Sequence, residues 1–168
     1  MSAAKKYEFT GETKEVFGVT LRQIRALVTI AGVVSAGDVG GWVEKCTALD
    51  QHGNAWVYGD AQVSGNAQVS GNAHVSGNAH VSGNAWVYGN GRVYGDGSIF
   101  WASKVGTENG TLTVFNSKDG TLTVTRGCFL GSVDSFIAKS KTVHDNKTHR
   151  EYCLLIEVAK SRIVCKAE

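Results

Sequence analysis

Residues 54–101 read NAWVYG DAQVSG NAQVSG NAHVSG NAHVSG NAWVYG NGRVYG DGSIFW, eight copies of one hexapeptide. A fixed period of this kind decides an architecture before local propensities are consulted. An aliphatic residue recurs every six positions, at Val57, Val63, Val69, Val75, Val81, Val87, Val93 and Ile99, with Val105 one step further. Two places before each stands a small residue: Ala55, Ala61, Ala67, Ala73, Ala79, Ala85, then Gly91, Gly97 and Ser103. Between copies lies Gly followed by Asn or Asp, from Gly59-Asp60 to Gly95-Asp96. Glycine reaches positive φ without strain and Asn or Asp tolerates it, so each copy reads as a short strand and a sharp corner.

Gly-Asn is also a hairpin signal, but hairpins built from this repeat would have very short strands with identical faces. A three-sided coil instead sends every sixth side chain inward and stacks residues eighteen apart, filling its interior with one small apolar set. An aliphatic with a small residue four positions later, as in Val57 and Ala61, resembles the hexapeptide-repeat family. The resemblance implies a left-handed parallel β-helix, commonly assembled as a trimer. The chain departs from the family at the residue after the aliphatic, where it has Tyr, Ser or Phe. That departure leaves the fold expectation in place and makes the outer faces unusual.

The flanks predict a mainly β protein in three parts: an N-terminal β cap with an irregular entry rung (1–53), the repeat (54–106), and a β-hairpin with a two-helix appendage (107–168). In the first part, residues 5–10 and 14–21 read as strands around a turn at Gly11-Glu12-Thr13. His52-Gly53 adds two residues that break register before the regular copies. In the last part, GTLTVF (110–115) and GTLTVT (120–125) predict a hairpin. Ser132 is placed to cap a first helix and Thr148 to Glu151 has the spacing of a capping box for a second. Caps are expected because an open coil end is an exposed strand edge.

Composition narrows the function classes. The formal charge is +2 over 168 residues, and residues 54–101 carry only Asp60, Arg92 and Asp96 among charged residues, which argues against nucleic acid as a partner. There is no proline, as suits ladders that need every N–H. Cys46, Cys128, Cys153 and Cys165 show no metal or redox spacing, and with a polar start, MSAAKKYEF, the expectation is reduced thiols in a cytoplasm. The longest early apolar run, 27–34, is too short to span a bilayer. No metal site, cofactor or carboxylate pair is called for, and His144 and His149 read as loop histidines at the turn between the helices.

Specificity must then lie on the outward positions. With an eighteen-residue repeat, one face shows Trp56, Tyr58, His74, Ser76, Arg92 and Tyr94, and another ends in Trp86 and Tyr88. Aromatics beside a cation suit an interface or a base-stacking pocket. Trp56, Tyr58, His74, Arg92, Tyr94, Trp86 and Tyr88 are therefore the candidate binding residues, with no catalytic residue assigned.

The N-terminal block, AGDVGGWVEK and the C-terminal GTLTVTRGCFLGSVDSF also resemble phage and prophage hexapeptide-repeat proteins of the polymer-forming kind. That resemblance implies a non-enzymatic, homo-oligomeric binding protein in the host cytoplasm, counteracting host defence by occluding a host protein or sequestering a nucleotide signal. Two alternatives stand beside it. One is a hexapeptide acyltransferase with His74 or His80 as base; the other is a self-assembling structural protein.

Overall fold

Each hexapeptide contributes only two or three residues of strand, because the remaining positions are spent on a corner. In the computed structural model, which describes residues 4–165, the corner glycines have positive φ, for example 67° at Gly65 and 68° at Gly71. A Cβ on Gly65 would sit 3.0 Å from the carbonyl oxygen of Gly83, eighteen residues on, so the corners stack too closely for a side chain. Asparagines beside them form columns. The amide of Asn54 donates to Asn72 at 3.1 Å, that of Asn72 to Asn90 at 3.4 Å, and that of Asn66 to Asn84 at 3.3 Å.

The strand pieces pair in parallel at an offset of eighteen: Trp56 with His74 and His74 with Arg92, Gln62 with His80, Gln68 with Trp86. The first pairings, Trp42 with Gln62 and Leu49 with Val69, have an offset of twenty, the excess being the two inserted residues His52 and Gly53. The valines and alanines of the repeat point inward and are fully buried or nearly so.

The regular left-handed parallel β-helix expected from the repeat is not what forms. Among the described residues the strands fall into four separate small sheets of five, three, four and two strands. The five-stranded sheet is mixed: strands Tyr7–Val16, Val19–Ala26 and Val39–Val43 pair antiparallel before the order continues into parallel repeat pieces. The four-stranded sheet is wholly antiparallel and comprises Ile99–Val105, Gly110–Asn116, Leu122–Arg126 and Phe129–Ser132. Two ladder residues per copy are too few to make one continuous sheet, and both ends of the repeat recruit antiparallel strands to cover themselves.

The handover at the far end is earlier than the six-residue register suggests. Ile99 still packs with the repeat core, but its strand pairs with Gly110–Asn116, and Val105 belongs to a second core with Leu112, Val124, Tyr152 and Ile156. Gly91 occupies a position that six earlier copies fill with alanine, because Phe115 of the antiparallel sheet comes down on the core there. A Cβ on Gly91 would lie 2.8 Å from that ring and from Val87.

Two further expectations are corrected. The first strand runs through Gly11 with a register irregularity between Phe9 and Thr13, and the turn lies at Phe17-Gly18, whose φ values are 51° and 79°. Helix α1 (Val133–Val143) is capped by Ser132 as predicted, whereas α2 (Asn146–Arg162) is capped by Asp145, whose Oδ1 accepts from the Thr148 amide at 2.7 Å. Glu151 accepts instead from the amide of Gly106 at 3.2 Å. Among the described residues no helix is long and apolar enough to cross a membrane.

Gly91→Ala is expected to destabilise the fold by about 1–3 kcal/mol through overpacking against Phe115, read as a lowered midpoint in urea. A second expectation concerns Lys6, which is 3% exposed with Nζ 2.9 Å from the carbonyl oxygen of Ala55. Burial lowers its pKa to about 8, against a smaller opposing pull from Asp50. Between that value and the ordinary 10.5, the unfolded chain binds a proton that the folded chain does not, so stability rises with pH across this window. Tyr7, raised to about 12 mainly by burial, loses stability only above its ordinary 10, which leaves pH 8 to 10 clear for the measurement. Thermal melts of the wild type should rise over that range relative to those of Lys6→Met.

Candidate ligand cleft

Within the repeat, the amide at each outward position before the valine donates to the carbonyl seventeen residues on: Trp56 to Ala73, Gln62 to Ala79, Gln68 to Ala85, His74 to Gly91. By that rule the amide of His80 would donate to the carbonyl of Gly97. It does not. The chain turns at Asp96–Ser98 into a short 3-10 segment, and the Asp96 side chain takes the acceptor's place, with Oδ1 2.8 Å from the His80 amide nitrogen. The carbonyl of Gly97 is thereby released and accepts from the amide of Val164 at 2.9 Å, just beyond the end of α2. The amide of Asn116 holds the next carbonyl contact, donating to Val164 at 3.0 Å. One carboxylate thus ends a ladder and docks a helix terminus beside it.

The space between the ladder end and α2 is an open cleft of about 500 Å³, lined by His80, Asp96, Ile99, Phe100, Trp101, Val158 and Arg162. Asp96 also faces the His80 ring, with Nδ1 3.0 Å from Oδ1 and 3.2 Å from Oδ2. A carboxylate at Nδ1 keeps the proton on that nitrogen, so Nε2 is the atom left for a ligand. Phe100 and Trp101 are half-buried, and Arg162 is exposed. A cation at the last turn of α2 is also favoured by the helix dipole. The cleft therefore sets a cationic side chain, an oriented imidazole and two aromatic rings around one opening.

The sequence-predicted residues are divided among several places. Trp56 is completely buried and meets the ring of Tyr7 edge-on at 6.5 Å, so it offers no face to a ligand. Its outward parity is right, but the N-terminal strands cover that side. The Trp56 indole Nε1 has no hydrogen-bond partner. Tyr58, His74 and Arg92 do come together: the Tyr58 and His74 rings meet edge-on at 5.5 Å, and Arg92 donates from Nη1 to the carbonyl of Asn72 at 2.8 Å. Burial raises the Tyr58 pKa, with Arg92 opposing, and its hydroxyl donates to the carbonyl of Val33 at 3.1 Å. Tyr94 is 67% exposed beside them. Trp86 and Tyr88 lie on another ladder with rings 5.4 Å apart, the Trp86 indole donating to the Ser70 hydroxyl at 3.0 Å.

Sequence reasoning missed Asp96, Trp101 and Arg162. Asp96 occupies the ordinary corner slot, and nothing local marks it as the last corner before the ladder stops. Trp101 was visible as the residue that breaks the six-residue pattern. Among the described residues, no group of three or more His, Cys, Asp or Glu side chains is placed to hold a metal ion. No protein-family model matches the chain, and no curated protein matches it.

The role of Asp96 as a ladder terminus is testable by amide hydrogen exchange. Asp96→Ala should speed exchange at His80 by roughly 10- to 100-fold, as loss of a hydrogen bond to a charged acceptor implies. Asp96→Asn, which keeps the acceptor oxygen, should preserve most of the protection.

Proposed function

We propose that the protein is a non-enzymatic binding protein that holds a small phosphorylated aromatic ligand, of the nucleotide class, in the cleft beside His80. The observation that supports this reading is the convergence of Phe100 and Trp101 with Arg162 and the Asp96-held imidazole of His80 around one opening of about 500 Å³. An aromatic ring stacks on a base whatever its identity, and a guanidinium pairs two oxygens of a phosphate at once. His80 Nε2 supplies a third polar contact. Sequestration of a nucleotide signal in a host defence response is the role proposed for such binding, by a homo-oligomer of this chain, with a trimer favoured.

The ladder face of Tyr58, His74, Arg92 and Tyr94 is the place proposed for a protein partner, since Tyr58 and Arg92 are already engaged within the fold and Tyr94 alone projects far into solvent. Acyl transfer with His80 as base is the second reading, favoured by the carboxylate that orients its ring.

Calorimetry against cyclic and linear nucleotides decides among them. Micromolar or tighter binding is expected for at least one. Trp101→Ala should then weaken binding by about 1–3 kcal/mol, the usual worth of one base–aromatic stack, and Arg162→Ala should weaken phosphorylated ligands more than their nucleosides. Absence of heat from every nucleotide would sink the nucleotide reading; turnover of an acyl thioester abolished by His80→Ala would select the enzyme.

A further inference from the structure

A second cluster of reactive groups lies where α1 meets α2, away from the cleft of His80. Cys153 and His149 stand one turn apart on α2, with Sγ 3.6 Å from Nε2. The other ring nitrogen, Nδ1, is 3.1 Å from the hydroxyl of Ser140 on α1, a side chain only 2% exposed. His149 is therefore not the solvated loop histidine expected at the interhelical turn. A thiol, an imidazole within reach of it, and a fixed group behind the imidazole form the arrangement that activates a nucleophile. The Ser140 hydroxyl fixes the position of the ring, and in the tautomer with its proton on Nδ1 that hydroxyl accepts from it and leaves Nε2 free to take the thiol proton.

Cys153 is half-buried and lines a cleft of about 330 Å³ between the helices, whose walls include Asp134, Ile137, Glu157 and Lys160. Lys160 and Glu157 are themselves 3.5 Å apart, so the rim presents both signs of charge. It suits a ligand that carries ammonium and carboxylate groups together. Cys46, Cys128 and Cys165 are all more exposed.

We infer that Cys153 is a thiol–disulfide exchange site that takes a small zwitterionic peptide disulfide. His149 Nε2 removes the Sγ proton, and the thiolate attacks one sulfur of the disulfide in line with the bond that breaks. A Cys153–sulfur bond forms, and the second sulfur leaves as a thiolate that takes the proton back from the imidazolium. The electron pair of the broken S–S bond leaves with the second sulfur, which is reduced to a thiol as Cys153 is raised to the disulfide level; the incoming disulfide is the oxidant, and no other enters. Exchange at sulfur asks only for a thiolate, a proton carrier and in-line access. The two helices supply the proton carrier, in His149, and the opening onto the cleft at Cys153, and neither depends on what the cleft of His80 binds.

The test is reaction of the full chain with oxidised glutathione near neutral pH, followed by digestion and mass spectrometry of the four cysteine peptides. The mixed disulfide is expected at Cys153 about tenfold faster than at the three exposed thiols, because among the described residues Cys153 alone of the four has an imidazole within reach of its proton. His149→Gln should bring Cys153 down to the rate of the others and leave theirs unchanged. A wild-type Cys153 no faster than Cys46, Cys128 or Cys165 overturns the inference without need of a variant. An unchanged Cys153 rate in His149→Gln overturns it equally.

Discussion

The constraint on which the structure rests is that the outward amides flanking the repeat valines find their acceptors seventeen residues further along the chain, as Trp56 does at Ala73 and Tyr58 at Val75. Inside the repeat the copy three further on supplies them. At the end of the repeat no such copy exists, and a buried amide without a partner costs about 1–3 kcal/mol. Two side chains meet that demand: Asp96 for the His80 amide, and the hydroxyl of Thr113 for the Trp86 amide at 3.1 Å. The antiparallel sheet is brought against the repeat by the second of these, and the end of α2 by the carbonyl that the first releases. The proposed ligand cleft is a by-product of how the ladders stop.

The two ends are closed by the same means with different residues. At the start, Gly40 and Gly41 allow strand Val39–Val43 to lie on Val57 and Trp56, where a Cβ on Gly40 would come within 2.7 Å of Ile24 and of the Val57 carbonyl oxygen. At the far end Gly91 admits Phe115. In both places a covering element needs the room that a methyl group would take. Lys6 and Tyr7 complete the first closure by donating to the carbonyl oxygens of Ala55 and Cys46, at 2.9 and 2.7 Å. Their shifted pKa values are the electrostatic trace of that burial.

What could be read from the sequence was what repeats. The inward valines and alanines, the eighteen-residue stacking, the two-residue break at His52-Gly53 and the hairpin at Gly110–Asn116 follow from period and turn chemistry. The overall sheet arrangement did not follow, because a hexapeptide pattern does not say how its ends are covered. IFW at 99–101 satisfies the six-residue register and simple strand alternation equally, so the handover to antiparallel pairing is invisible locally. Trp56 looked like a surface residue by parity, and only the packing of the N-terminal strands buries it. The turn at Phe17-Gly18 was missed because Gly11 offered a more conventional signal, and a phenylalanine at positive φ is a choice propensity does not favour. Asp96 and Arg162 are distant in sequence and come to line one cleft only once α2 is docked.

The offset of eighteen also limits how such a chain can change length. Gain or loss of one hexapeptide moves every later residue to the neighbouring ladder, so Asp96 would no longer lie beneath His80 and Phe115 would descend on a different column. Gain or loss of three copies returns each residue to its own ladder. The asparagine columns impose the same rule, since each amide donates in one direction to its counterpart three copies on. Lineages descended from this architecture should therefore differ in length by multiples of eighteen residues between the two closures, while the closures themselves drift freely in sequence.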